Sequence, residues 1–279
     1  MQSNPVCENA IGAMLHEFRH NNWMVKEHWP LIESHVRLIL ADALKHVPPA
    51  PQVKILDIGC FNGFVGLIFR ELGYEVMGVD MYETSEQQEL FARHGMEFLK
   101  VNLNDLHPFA KLQANSFDLV IIAQVIEHVL NHPLGLMQDV ARVMRPGAWL
   151  ALTTPNPANL MGAIRLLQSK PLLWGSQDFI ELPKINAGEI ISEAEIHYHE
   201  YLQPELHSLM TKAGLSVAQL RYLGLGVTPN QPILKRWVKS RSLTQYLMSK
   251  RLFASNHYCL AYKPLSTSLT ANGLTHKEE

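Results

Sequence analysis

Apolar positions along this chain alternate between two periods. Short, nearly continuous apolar runs occur at 53–58, 75–79, 96–101, 117–123 and 148–153. Runs of that length bounded by turn residues predict strands buried on both faces. Between them the spacing becomes helical. Phe64, Leu67, Ile68 and Leu72 share one face until Gly73 ends the run. A polar helix is expected over 85–94. Pro133 opens another, with Leu136, Met137, Val140, Ala141 and Met144 at helical spacing, and Arg145-Pro146-Gly147 is expected to stop it. A helix from Pro204 to Gly214 and strands at 217–223 and 257–262 complete the pattern. Strand, helix and strand repeat without hairpin signals. That order predicts an α/β fold whose mostly parallel sheet is built by right-handed crossovers.

Residues 11–46 precede the sheet and read as helical. Leu31, Ile32, His35, Leu38, Ile39 and Ala43 mark the apolar face of the second half. The expected organisation is a helical cap over 1–47, one domain over 48–263, and a polar tail over 264–279 that is expected to be disordered. Two irregular insertions, about 157–196 and 224–253, interrupt the domain. The first follows the fifth strand, where a lid or substrate wall is common.

Composition narrows the classes. The chain has 279 residues, 47% hydrophobic, enough for a sizeable core. A formal charge of −2 gives no global pull toward nucleic acid or membrane. Cys7, Cys60 and Cys259 are odd in number and scattered, so they frame neither disulfides nor a zinc site. No secretory pattern opens the chain and no apolar run is long enough to span a bilayer, so a cytoplasmic location is expected.

The candidate chemistry begins at Lys54-Ile55-Leu56-Asp57-Ile58-Gly59-Cys60-Phe61-Asn62-Gly63-Phe64-Val65-Gly66. It reads as a strand, a glycine turn and a helix start. Gly59 and Gly63 stand where the backbone must turn sharply and approach a ligand. Asp80 ends the next strand about 20 positions later, where an α/β nucleotide site places its ribose acceptor. The glycine spacing lacks the dinucleotide fingerprint, and no lysine completes a phosphate loop, so a ligand without pyrophosphate is expected.

Asp57-x-Gly59-Cys60-x-x-Gly63 with Asp80, Asn115-Ser116-Phe117-Asp118, Arg145-Pro146-Gly147 and Thr154-Pro155-Asn156 together resemble the class I S-adenosylmethionine-dependent methyltransferases. The likeness covers about 50–156 and continues more weakly to about 262. It implies a Rossmann-like seven-stranded sheet whose last strand is antiparallel. It also implies a cofactor site of Asp57, Gly59, Cys60, Asn62, Gly63, Asp80, Met81, Asn102, Leu103, Ala123 and Gln124. Within that site Asp80 grips the ribose and Met81 packs on adenine. Either Asn102 or Asp105 reads the adenine amino group, and Asp57 is either structural or meets the cofactor amino group. Trp23 is a lid candidate.

Gln124-Val125-Ile126-Glu127-His128 follows the fourth strand, where the transferable methyl is expected to point. His128 is the candidate general base, because imidazole titrates near neutrality. The stretch resembles the Glu-x-x-Glu-His of metal-assisted O-methyltransferases, those of ubiquinone pathways and, more weakly, small-RNA 3′-terminal 2′-O-methyltransferases. In that likeness His197, from His197-Tyr198-His199-Glu200-Tyr201, joins Glu127 and His128, either around Mg²⁺, Mn²⁺ or Zn²⁺ or as a metal-free base network. Gln124 in place of the first glutamate removes one charge from such a site. The expected activity is O-methylation of a small-molecule, saccharide or lipid-linked hydroxyl; RNA methylation and a non-catalytic cofactor-binding module are the alternatives. Residues 233–252 interleave Lys235, Arg236, Lys239, Arg241, Lys250 and Arg251 with apolar residues. The favoured reading is a solvated helix pair packed at the pocket mouth; contact with an anionic membrane or phosphates is the alternative, with nucleic acid the less favoured partner. Oligomeric state is not legible.

Overall fold

The structure is a computed structural model that describes residues 5–20, 29–171, 185–186, 189–190, 196–224 and 250–265. Seven strands form the main sheet. They are β1 (Lys54–Ile58), β2 (Glu75–Asp80), β3 (Glu97–Lys100), β4 (Phe117–Ala123), β5 (Met144–Pro155), β6 (Ser216–Leu223) and β7 (Asn256–Tyr262). Their order in space is β3-β2-β1-β4-β5-β7-β6. The first five pair in parallel, and β7 runs antiparallel between β5 and β6. The expected fold is therefore the observed one. A separate two-residue ladder joins Ile185–Asn186 to Glu189–Ile190.

Side chains alternate across the sheet as strand geometry requires. Leu56, Ile58, Val120 and Ile122 enter the core beneath α5 (Pro133–Val143) and α7 (Gln203–Lys212). Ile55, Leu119 and Ile121 enter the opposite core, with α1 (Pro5–His20), α2 (Trp29–His46) and α3 (Phe64–Glu71). Each of those seven strand residues is essentially inaccessible, worth roughly 1.5–3 kcal/mol of transfer free energy apiece. Asp57 shares the parity of Ile55, so its carboxylate faces α3.

The N-terminal region holds two helices, and α1 begins at Pro5, six residues before the expected start. Phe18 of α1 meets Phe64 of α3 edge to face at 5.0 Å, and Arg37 pairs with Glu8 to tie α2 to α1. Trp23 lies outside the described residues, as do 225–249 of the basic insertion and 266–279 of the tail.

Two boundaries differ from expectation. Strand β5 begins at Met144, not Ala148. Met144 pairs with Phe117 across a register shift, and Gly147 supplies the positive φ of 82° that carries the chain over the irregularity. The first insertion contains α6 (Leu160–Leu167), capped by Asn159 Oδ1 accepting from Gly162 N at 2.8 Å.

Candidate active site

A cavity of about 530 Å³ opens at the C-terminal ends of the parallel strands. It sits where the order turns from β1-β2-β3 to β4-β5, the place at which open α/β sheets hold ligands. Four successive loops line it: Gly59 and Phe61 after β1, Asp80–Tyr82 at the end of β2, Val101–Asn104 after β3, and Gln124, Val125, His128 and Val129 after β4.

Local chemistry fixes these loops. Gly59 N donates to the Val79 carbonyl at 2.8 Å and Gly63 N closes a turn onto the Cys60 carbonyl at 2.7 Å. Gly63 has φ +82°, and a Cβ there would lie 2.2 Å from the Phe91 ring. Gly66 is needed for another reason: a Cβ would strike Met96 at 2.7 Å and Asp57 at 3.0 Å, so glycine lets α3 press onto the sheet. Asp80 holds the turn from below, its Oδ2 accepting from Phe61 N at 2.8 Å and its Oδ1 from Tyr82 N at 3.0 Å. Each oxygen keeps a further lone pair for a ligand hydroxyl. Gln87, whose side chain completes the capping box of α4 (Ser85–His94), also donates to the Phe61 carbonyl.

Of the expected cofactor residues, Gly59, Asp80, Met81, Asn102, Leu103 and Gln124 line the cavity. Asp57, Cys60, Asn62, Gly63 and Ala123 are not in its wall. Asp57 Oδ2 accepts from Gly66 N at 3.0 Å, so it orders the α3 start. Burial, and secondarily the Asp80 charge, push its carboxyl up to about 7, while the Gly66 amide opposes them. Cys60 is buried, and burial pushes its thiol up. Asp105 is exposed and outside the wall, which leaves Asn102 as the amide at the expected adenine position. Phe61, Tyr82, Val101, Asn104, Val125 and Val129 line the cavity without having been foreseen. Their neighbours in sequence are motif residues, but which side chain turns inward depends on loop geometry.

The 124–128 stretch follows β4 directly. Gln124 adopts φ +60°, uncommon for a side-chain-bearing residue, and its buried Nε2 has no hydrogen-bond partner. A single 3₁₀ turn, Ile126–His128, follows. The Glu127 carbonyl then accepts from Tyr198 N at 2.8 Å and His199 N at 3.3 Å, zipping the 196–200 loop onto this turn. His128 Nδ1 donates to the Ile196 carbonyl at 3.0 Å, which places the remaining lone pair of the neutral ring on Nε2. His197 Nδ1 hydrogen-bonds Glu200 Oε1 at 2.8 Å, and the two imidazoles pack edge to face at 4.8 Å. Glu127 is inaccessible; Thr154 Oγ1 donates to its Oε2 at 3.0 Å and its Oε1 has no partner. Burial raises the Glu127 carboxyl to about 7 against smaller opposing hydrogen bonds and the His197 interaction. Burial, then His197, lower His128 to about 4.

Glu127, His128 and His197 therefore meet as expected, with one ligand-capable atom from each within 4.8 Å of the others. An orphaned buried carboxylate oxygen suits a divalent cation. So does the anchoring of each imidazole Nδ1 by a carbonyl or a carboxylate, the usual outer support of a metal-binding histidine. His199 is exposed and its Nε2 faces Glu205 at 3.4 Å, apart from this group. A second cavity, about 310 Å³, adjoins His197 and Glu200 and is walled by Asn156, Met161 and Arg165.

Sheet order, antiparallel closing strand and cavity together define a class I S-adenosylmethionine-dependent methyltransferase. The profile of a methyltransferase domain matches residues 18–220, and the chain belongs to that family. Among curated relatives it is 26% identical over 161 residues to the ubiquinone biosynthesis O-methyltransferase of Albidiferax ferrireducens, covering 56% of this chain and 62% of that one. It is 26% identical over 193 residues to the mitochondrial ubiquinone biosynthesis O-methyltransferase of Homo sapiens, covering 65% of this chain and 48% of that one. The chain thus spans only about half to three-fifths of those relatives. Among solved structures, the 1,6-didemethyltoxoflavin-N1-methyltransferase of Burkholderia thailandensis, with 1,6-didemethyltoxoflavin and S-adenosylhomocysteine bound, shares the fold. Its TM-score is 0.52 at 14% identity, covering 95% of this chain and 92% of that one. Among the described residues no helix is long and apolar enough to cross a membrane.

Proposed function

We propose that this methyltransferase transfers the methyl group of S-adenosylmethionine to a hydroxyl of a small-molecule acceptor, with His128 receiving the hydroxyl proton. The observation that carries the reading is the fixed tautomer of His128 at the cavity wall: with Nδ1–H held by the Ile196 carbonyl, Nε2 is a proton acceptor. Methyl transfer from a sulfonium is an in-line displacement whose leaving sulfur becomes neutral. The protein must align the acceptor and take one proton, and it need not supply an acid. The names of the curated relatives support oxygen as the acceptor atom.

In this reading Asp80 holds the cofactor ribose with its spare lone pairs, Met81 and Asn102 face the adenine, and the unpartnered Gln124 amide meets the methionine end. In the alternative arrangement Glu127, His128 and His197 would instead hold a divalent cation of the Mg²⁺, Mn²⁺ or Zn²⁺ kind, with the His128 Nε2 lone pair a ligand and no longer the proton acceptor. Bound there, it would polarise the acceptor hydroxyl and lower its pKa. Glu200 fixes the His197 ring, and Arg165 and Met161 in the adjoining cavity provide the acceptor wall. The test is S-adenosylhomocysteine formation with catechols, aliphatic diols and primary amines supplied in parallel. Hydroxyl-selective turnover that is lost in His128→Ala supports the proposal. Turnover on amines alone rejects it.

A further inference from the structure

A third cavity, about 370 Å³, lies on the same sheet edge beyond β5. It is lined by the ends of β6 and β7, by the start of α7 and by the 250–255 turn. It shares Asn156 with the acceptor-side cavity, and Asn156 is immobilised between them. Its Nδ2 donates to the carbonyls of Arg251 and Ala254 at 2.9 and 2.8 Å, and its Oδ1 accepts from Ala158 N at 3.1 Å. The methyl-transfer reading gives this space no task.

Three residues of its wall carry hydrogen-bond donors, one of them charged. His257 is 1% exposed, packs against the Tyr222 ring at 5.3 Å, and has no hydrogen-bond partner of acceptable geometry at either ring nitrogen. The Tyr201 carbonyl interacts with the ring, and burial lowers the imidazole pKa to about 4, so His257 is neutral and acts toward an anion only as an N–H donor. Gln203, the first residue of the ten-residue helix α7, presents a buried Nε2 amide that also lacks a partner. Arg251 also lines the space, and its side chain makes no ion pair among the described residues. The helix start adds its partial positive charge. No Asp or Glu lines the space. The nearest acid in α7, Glu205, is engaged by Leu202 N at 2.7 Å and faces His199. His207 also lines the space, and Leu202, Pro204 and Leu220 give it an apolar part. Unpaired buried donors are costly, and a volume above about 300 Å³ is ligand-sized.

We infer that this cavity is a binding site for a carboxylate or phosphate group carried on an apolar body, held by His257, Gln203 and Arg251. The group belongs either to a distal arm of the methyl acceptor or to a separate effector. The chemistry is the same for both, and the site stands independently of the hydroxyl-transfer reading.

The test is calorimetric titration of the full chain, saturated with S-adenosylhomocysteine, with hexyl phosphate, hexanoate and hexanol. Saturable binding of at least one anion, with hexanol at least about tenfold weaker, is expected. Arg251→Ala and His257→Phe are each expected to weaken the anion about tenfold or more while leaving S-adenosylhomocysteine affinity unchanged. His257→Phe keeps a ring against Tyr222, and Arg251 is exposed, so the pair does not depend on one buried substitution folding. Equal binding of hexanol, unchanged anion affinity in both variants, or no anion binding overturns the inference. Once an acceptor is in hand, competition between hexyl phosphate and the acceptor assigns the group to the acceptor, and unchanged acceptor KM assigns it to an effector. Both results support the site. Because binding is read without turnover, a failure of the proposed reaction leaves this result intact.

Discussion

His128 and His197 meet edge to face with ring centroids 4.8 Å apart, and each ring has its Nδ1 already committed, one to the Ile196 carbonyl and the other to the Glu200 carboxylate. Both rings therefore offer Nε2 to the same region, beside the unpartnered oxygen of Glu127. Each ring is thus held in one orientation by its own partner.

Removing the anchor should cost activity without dismantling the fold. Glu200→Gln keeps the shape but weakens the hold on His197. We expect about a 10–100-fold loss of turnover or of divalent-ion affinity, with S-adenosylhomocysteine binding retained. Steady-state kinetics beside cofactor titration separates this from general destabilisation.

Asp80 should govern cofactor affinity. Its carboxylate satisfies Phe61 N and Tyr82 N and keeps lone pairs facing the cavity. Asp80→Ala should raise the Kd for S-adenosylmethionine by about tenfold or more, since hydrogen bonds to a charged group are worth roughly 1.5–3 kcal/mol. Asp80→Asn, with one acceptor oxygen remaining, should fall between. Calorimetry on folded variants reads both.

The glycine turn admits little substitution. Gly63→Ala places a Cβ against the Phe91 ring at a φ of +82°. A loss of roughly 2–4 kcal/mol in unfolding free energy is expected from strain and overpacking together. Chemical denaturation measures it.

Asp57 makes stability depend on pH. Its folded carboxyl titrates near 7, above the ordinary 3.8, chiefly because it is buried. Between those values the folded state keeps a proton that the unfolded state has released. The contribution is therefore complete below about pH 4 and is lost as pH rises through about 7. Asp57→Asn removes the titration. Its stability should decline less steeply between pH 4 and 7, by up to about 1.4 kcal/mol per pH unit. A series of urea unfolding curves tests the slope.

Much of this architecture is legible in the sequence, because buried parallel strands such as 117–123 are apolar throughout and glycines are forced at tight turns. The meeting of Glu127, His128 and His197 follows the resemblance and the geometry alike. What pattern could not reach depends on side-chain direction. Asp57 is written into the motif, yet strand parity turns it toward α3, so its part is to order the helix start. Phe61 and Tyr82 enter the cavity wall through loop conformations that no periodicity encodes. The start of β5 at Met144 reflects a register shift that Arg145-Pro146-Gly147 conceals, because the same residues read as a helix stop. His257 reads only as a strand residue. Its exposure of 1% and missing partners appear once β6, β7 and α7 are packed together.

The most direct test of the central claim is methyl transfer to a catechol by wild type and His128→Ala, each saturated with S-adenosylmethionine and assayed with and without chelator. The account predicts a methyl ether from the wild type and a loss of about 100-fold or more in His128→Ala, with cofactor affinity within a few-fold of wild type. Chelation should slow the wild type if the three residues hold a divalent ion. Wild-type turnover by His128→Ala, or methylation only of nitrogen in competing amine acceptors, would contradict the claim.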